Sequence, residues 1–239
     1  MIKKIIKKAL FGCKVDSNTY IEHLKKNGAK IGDRVRIFEP RYTQIDETRP
    51  WLLDIGDDVQ ITYGVTILTH GYDWSVLKGM YGEVLGSSGR VKIGNNVFIG
   101  MHSTILKGVT IGDNVIIGAN SLVNKNVESG WVVAGNPAKP IMRVEDYFEK
   151  RKKCQVAEAK ELYDYYCRQY GKEPGKEVFD EFFWLFEERK EPVCVKFINK
   201  MKVLGNYERT LENFMNSTPQ FCGYGEFLVY LRDDKNFQG

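Results

Sequence analysis

The chain holds three histidines, His23, His70 and His102. Imidazole exchanges a proton more readily near neutral pH than any other unperturbed side chain, so each is a candidate general base. His70 lies in the run Leu68-Thr69-His70-Gly71-Tyr72-Asp73-Trp74, with a carboxylate and two aromatic rings close behind it. An imidazole at such an edge, near Asp73 and beneath a loop, suits proton removal from an attacking group. Tyr72 and Trp74 are placed either to stack on a ring-shaped substrate or to anchor that loop on a neighbour. His102 is ambiguous between a turn residue and a second polar group facing substrate. His23 reads as surface or packing. No Gly-x-Ser-x-Gly elbow occurs, and no cysteine lies between Ile31 and Arg143, so the chemistry requires no covalent intermediate. Cys13, Cys154, Cys167, Cys194 and Cys222 contain no C-x-x-C pair. This pattern predicts neither a zinc site nor a disulfide framework, and the cysteines read as buried small hydrophobes in a reducing compartment.

Both His70 and His102 sit inside a six-residue repeat. From Ile93 an aliphatic residue recurs at Ile99, Ile105, Ile111, Ile117 and Val123, usually followed by Gly. Two places before each stands Val91, Val97, Ser103, Val109, Val115 or Ser121. Residues i−2 and i share one face of a strand, so each sextet is a short strand followed by a corner. A sustained period of six marks a parallel β-helix in which stacked coils bury one apolar column. The expected fold is mainly β, a left-handed parallel β-helix with three sextets to a turn. The fourth position of successive sextets reads Asp58, Gly64, His70, Asn96, His102, Gly108, Asn114, Asn120 and Asn126. These types tolerate positive φ, which predicts corner turns there.

The pattern divides the chain into three. Residues 1–28 read as a helical segment ending at Asn27-Gly28. Residues 29–143 form the β-helix, opening at Ala29 and Ile31, losing phase across Phe38–Trp51, and resuming at Ile55, Ile61 and Ile67. A second break at about 73–90 predicts a protruding loop, since an insertion must leave a solenoid through a corner. If that loop spans whole turns, Ile93, Ile99 and Ile105 repeat the faces of Ile55, Ile61 and Ile67. Residues 144–239 read as a mainly helical extension, with helices over Glu145–Gly171 and around Phe179–Arg189. Phe197, Tyr207, Phe214, Phe221 and Tyr224 then predict a packed subdomain. The net charge of +4 comes from interspersed residues and predicts no nucleic-acid partner. The stretch Met1–Phe11 is too interrupted by lysines to span a membrane, leaving at most a peripheral contact.

With Ile-Gly-x-x-x-x sextets, Thr69-His70 before a loop and Ala134-Gly135-Asn136-Pro137-Ala138 at the end, residues Ile31 to Arg143 resemble the hexapeptide-repeat acyltransferases. Within them the likeness is to maltose/galactoside-type and capsular or surface-polysaccharide O-acetyltransferases. The resemblance implies a cytoplasmic homotrimer with active sites between subunits and acetyl-CoA as acyl donor. The acceptor it implies is a sugar hydroxyl, with His70 as general base. It suggests Glu83 as a loop carboxylate orienting that His, alongside Asp73. It places Met101, Ala119, Asn124, Lys125, Lys139 and Arg143 at coenzyme-contacting positions, with Tyr72, Trp74 and His102 facing the acceptor. Gly71 stands where relatives often carry Pro or Asp, and Asn124 where they often carry Thr. Two other readings compete: an N-acyltransferase acting on an amino-sugar nucleotide, and a non-catalytic scaffold. The zinc-dependent γ-type carbonic anhydrases need three imidazoles, and only His70 and His102 lie in the coils, so no metal is expected for the reaction.

Overall fold

A computed structural model describes residues 11–233. The chain forms two compact units, Met1–Tyr147 and Phe148–Gly239. The proposed basic helix of Met1–Phe11 lies almost wholly outside the described residues.

In the first unit a 3₁₀ turn (Gly12–Val15) leads into helix α1 (Ser17–Lys26). Asp16 caps α1 by accepting from the Thr19 N–H, and Gly28 at φ 106° carries the chain away from its end. Tyr20, Ile21 and Leu24 are the buried face of α1 and belong to the same apolar cluster as the first strands. Strands then come in threes. The first face stacks β1 (Lys30–Ile31), β4 (Leu53–Ile55), β7 (Val91–Ile93) and β10 (Thr110–Ile111), all parallel. The second stacks β2 (Arg36–Ile37), β5 (Gln60–Ile61), β8 (Val97–Ile99), β11 (Val115–Ile117) and β13 (Trp131–Ala134). The final strand β14 (Lys139–Arg143) pairs antiparallel to β13. The third face stacks β3 (Gln44–Ile45), β6 (Thr66–Ile67), β9 (Thr104–Ile105) and β12 (Leu122–Val123).

The register answers the phase question left by the loop. Ile55 pairs with Ile93, Ile61 with Ile99 and Ile67 with Ile105, so the insertion does span whole turns. Ile31, Ile37, Ile45 and their successors are all buried and form one continuous column. The segment Phe38–Trp51, where the period loses phase, is an irregular coil of the stack and not a loop. It contains β3, whose Ile45 pairs with Ile67 and completes the first coil. Ile45 follows Ile37 by eight residues instead of six, which is why the period hides it.

Between the first and second faces the corners are tied by a ladder of short polar side chains. Asp57 Oδ1 accepts from the Asp33 N–H, Asn95 Oδ1 from Asp57, Asp113 Oδ1 from Asn95 and Ser129 Oγ from Asp113. Each bond runs from one coil to the next and satisfies a backbone donor that a corner would otherwise strand. Positive φ occurs at Asp58, Gly64, Asn96, His102, Gly108, Asn114 and Asn120, as the fourth-position pattern predicts, but not at His70 or Asn126.

The second unit is organised differently. Its long helix α3 (Val144–Tyr170) is followed by two 3₁₀ turns, Lys176–Phe179 and Phe183–Leu185, where a single α-helical run was expected. Short helices α4 (Val195–Met201), α5 (Tyr207–Asn216) and α6 (Tyr224–Arg232) complete it. Phe179, Phe186, Phe197, Phe214 and Phe227 are fully buried in one cluster. Phe183 stacks on Phe197 with ring centroids 4.7 Å apart. Arg232 makes two hydrogen bonds to Glu173, which also accepts from the Tyr163 hydroxyl. These bonds hold the Glu173 carboxyl down at about 2. The cysteines are less enclosed than expected: four are half-buried and Cys222 is exposed. No helix among the described residues is long and apolar enough to cross a membrane.

Candidate active site

His70 follows β6 at the corner between the third and first faces, where the chain leaves the coil. The excursion is not structureless, as a bare loop would be: Trp74–Tyr81 forms helix α2, closed by Gly82 at φ 78°. Its two arms meet at the neck. The Gly71 N–H donates to Ser87 O at 3.0 Å and the Gly89 N–H to Thr69 O at 2.9 Å, with His70 bridged to Ser88. This pairing takes the place of the left-handed turn found at Gly108, one coil on. The departing chain therefore keeps His70 out of the corner conformation and fixes its backbone between two strands.

The side chain is fixed from the other direction. His70 Nδ1 lies 2.5 Å from Asp46 Oδ2. Asp46 is the residue after β3, one place beyond the Ile45–Ile67 pair, and its N–H donates to Ile67 O at 2.9 Å. Its side chain is only 4% exposed, whereas that of His70 is 28% exposed. Four further bonds hold the carboxylate. The Thr48 N–H and Oγ1 donate to Oδ1 at 3.0 and 2.6 Å, and the Thr69 N–H and Oγ1 to Oδ2 at 3.2 and 2.5 Å. Burial alone would raise the Asp46 pKa, but the bonds from Thr48, Thr69 and His70 outweigh it and hold the carboxyl well below the usual range. An ionised carboxylate only accepts, so Nδ1 carries the proton and the neutral ring keeps its lone pair on Nε2.

This corrects the choice of carboxylate. Neither Asp73 nor Glu83 hydrogen-bonds His70; Asp46 occupies Nδ1 instead. Asp73 precedes α2 without capping it, and its Oδ1 lies where a Cβ on Gly71 would project. Glu83 is exposed on the returning arm, beyond α2. Sequence proximity misled here because the coil brings residue 46 closer to residue 70 than residue 73 comes. Pairing Ile45 with Ile67 is the one signal that would have found Asp46.

The other selected residues fall into separate sets. Tyr72 and Trp74 pack on each other at 4.8 Å between centroids, with Tyr72 strongly exposed. Asn124 and Lys125 lie two coils above His70 on the same corner. They line a cleft of about 290 Å³ with Val127, Trp131, Ala138 and Pro140. Lys107 lies between, its Cε 3.4 Å from where a Gly71 Cβ would be, and repeat reasoning did not single it out. Met101, His102 and Ala119 occupy a different corner, between the second and third faces, where the Asn120 N–H donates to Met101 O at 2.8 Å. His102 sits at φ 58°, its ring edge-on to Tyr63 and against Gly64, whose missing Cβ leaves room for it. Lys139 is exposed on β14. Arg143 is engaged structurally: its guanidinium lies 4.8 Å from the Trp131 ring centre and donates to Ser129 O at 3.3 Å.

Known proteins resemble part of this chain. Residues 90–125 match the family model described as bacterial transferase hexapeptide (six repeats). Protein CapG of Staphylococcus aureus is 40% identical over 147 residues, which are 60% of this chain and 82% of that one. A UDP-3-O-acylglucosamine N-acyltransferase of Rickettsia bellii is 48% identical over 54 residues, 23% of this chain and 16% of the relative. Among solved structures, a maltose O-acetyltransferase from Clostridium difficile 630 is 25% identical and covers 59% of this chain and 84% of its own, with a TM-score of 0.39.

Proposed function

Since this chain belongs to the bacterial hexapeptide-repeat transferases, we propose that it moves an acetyl group from acetyl-CoA to a sugar hydroxyl. The acceptor we favour is a surface or capsular polysaccharide or its precursor. The single observation that carries this reading is the Asp46–His70 pair at the neck of the excursion. His70 Nε2 takes the proton of the acceptor hydroxyl as its oxygen attacks the thioester carbonyl. The C–O bond forms, the tetrahedral intermediate collapses, and the C–S bond breaks. The departing CoA thiolate then recovers the proton from the imidazolium. Asp46 stabilises that imidazolium while it exists and keeps the ring from rotating. Corner N–H groups are candidates for the oxyanion contacts.

The two residue sets make better sense in a homotrimer of left-handed β-helices. There, the His70 corner of one subunit would face the corner of its neighbour that bears Met101, His102 and Ala119. Acetyl-CoA would lie in that seam, with Asn124 and Lys125 at its upper end and Lys139 available to the phosphates. Tyr72 and Trp74 would then meet the acceptor ring, and the enzyme would work in the cytoplasm, where acetyl-CoA is made. The test is release of free CoA thiol from acetyl-CoA with hydroxyl-only saccharides and with amino sugars offered separately. Turnover with the hydroxyl sugars supports the reading. Turnover confined to amino sugars transfers the protein to the N-acyltransferases, and turnover with neither favours a scaffold.

A further inference from the structure

A second group of reactive side chains gathers where α1 meets the first coil, away from His70 Nε2. Cys13 comes from the 3₁₀ turn, His23 from α1 and Glu47 from the segment after β3. One ligand atom from each lies within 4.8 Å of the other two. Thiolate, imidazole and carboxylate are the donors that zinc takes, at about 2.3, 2.0 and 2.0–2.2 Å. We propose that Cys13, His23 and Glu47 form a binding site for a zinc-like transition-metal dication, with solvent as fourth ligand.

Three features carry the assignment. First, a tetrahedral centre with those bond lengths places its nitrogen and oxygen ligands roughly 3.3 Å apart, and His23 Nε2 stands 3.2 Å from Glu47 Oε2. Cys13 Sγ lies within 4.8 Å of both, a gap that a side-chain rotation can shorten. Second, the carboxylate is oriented from behind. Tyr20 is fully buried, and its hydroxyl donates to Glu47 Oε1 at 2.7 Å, leaving Oε2 turned to His23. Ligating carboxylates characteristically have such a partner. Third, the ligands offset the charge of the ion. Lys14 approaches Glu47 Oε1 at 3.5 Å and lies over the Tyr20 ring at 4.8 Å. That contact accounts for Oε1, while Oε2 meets the His23 imidazole. Cys13 as thiolate and Glu47 ionised together offset the two charges of a dication, with the Lys14 ammonium left over and the thiol proton passing to solvent. The mixed sulfur, nitrogen and oxygen set selects zinc-like ions over magnesium or calcium. Because Glu47 adjoins Asp46, a metal here would pin α1 to the segment that holds His70.

The experiment uses the full chain, stripped with chelator and titrated with Co²⁺ alone, then with Zn²⁺. The expected result is one Co²⁺ per chain with a thiolate-to-cobalt charge-transfer absorption that Zn²⁺ abolishes. Cys13→Ser should remove that absorption and weaken Zn²⁺ binding by about 100-fold or more, beyond what loss of a supporting partner costs. Cys222→Ser should leave both unchanged. His23→Gln, on the exposed side of α1, should retain the thiol yet weaken binding similarly, and decides the matter if Cys13→Ser misfolds by circular dichroism. No thiolate absorption in the native chain, or one that survives Cys13→Ser, overturns the site.

Discussion

His102 and His70 both occupy the fourth place of a sextet, yet the backbone treats them in opposite ways. His102 completes an ordinary corner at φ 58°, with its ring lying over Gly64 of the coil below. His70 has no corner to complete, because the chain departs there and returns at Ser88. The excursion does two things to it. It replaces a left-handed turn with an antiparallel neck, and it leaves the ring free to meet Asp46 beneath. A regular repeat thus makes a turn residue of His102, and an interruption releases His70 from that role.

The strongest way to break this contrast is His70→Ala, expected to lower kcat by about 10²–10⁴-fold with folding intact, the usual contribution of a general base. Steady-state rates beside a thermal melt would separate lost chemistry from lost structure. Asp46→Asn should come next. An amide offers one acceptor atom to donors now shared between two, so the ring loses its anchor, and a misplaced catalytic group costs about 10²-fold. The unmet donors of Thr48 and Thr69 should also lower stability by about 1–3 kcal/mol. If the loss in rate came without any fall in melting temperature, the five-bond cradle would be misassigned. Gly100→Ala probes the other corner. Its new Cβ would meet Ala119 N at 2.5 Å and Gly118 C at 2.7 Å. Backbone of the next coil cannot yield cheaply, and about 1–3 kcal/mol of destabilisation is expected in a denaturant titration. Gly79→Ala, with nothing within 4 Å, is the control. The smallest effect belongs to His102→Asn. Asn suits the left-handed region, so stability should change by about 0.5 kcal/mol or less and kcat should fall far less than in His70→Ala. A loss there equal to that of His70→Ala would erase the distinction between the two corners.

A similar contrast separates the two units. In the coil each aliphatic residue packs on its counterparts in the coils above and below, so the pattern repeats and can be read. In the second unit, Phe179, Phe186 and Phe227 converge from a 3₁₀ turn, a connecting segment and α6. No period announces that arrangement. The aromatic content predicted a packed core and the long helix was legible. The run Phe179–Arg189 was not, because short 3₁₀ turns share the helix's apolar spacing without its length.

From the sequence alone follow the three-faced coil, the place where the insertion leaves it and the corner role of most fourth positions. All depend on side chains separated by a fixed short interval. Tertiary structure alone decided that Asp46, and not Asp73 or Glu83, grips His70, that the inserted arm carries a helix, and that Cys13, His23 and Glu47 meet. Each of these joins residues across an irregular step, such as the eight from Ile37 to Ile45. Where spacing is irregular, only the folded path of the chain says which side chains arrive together.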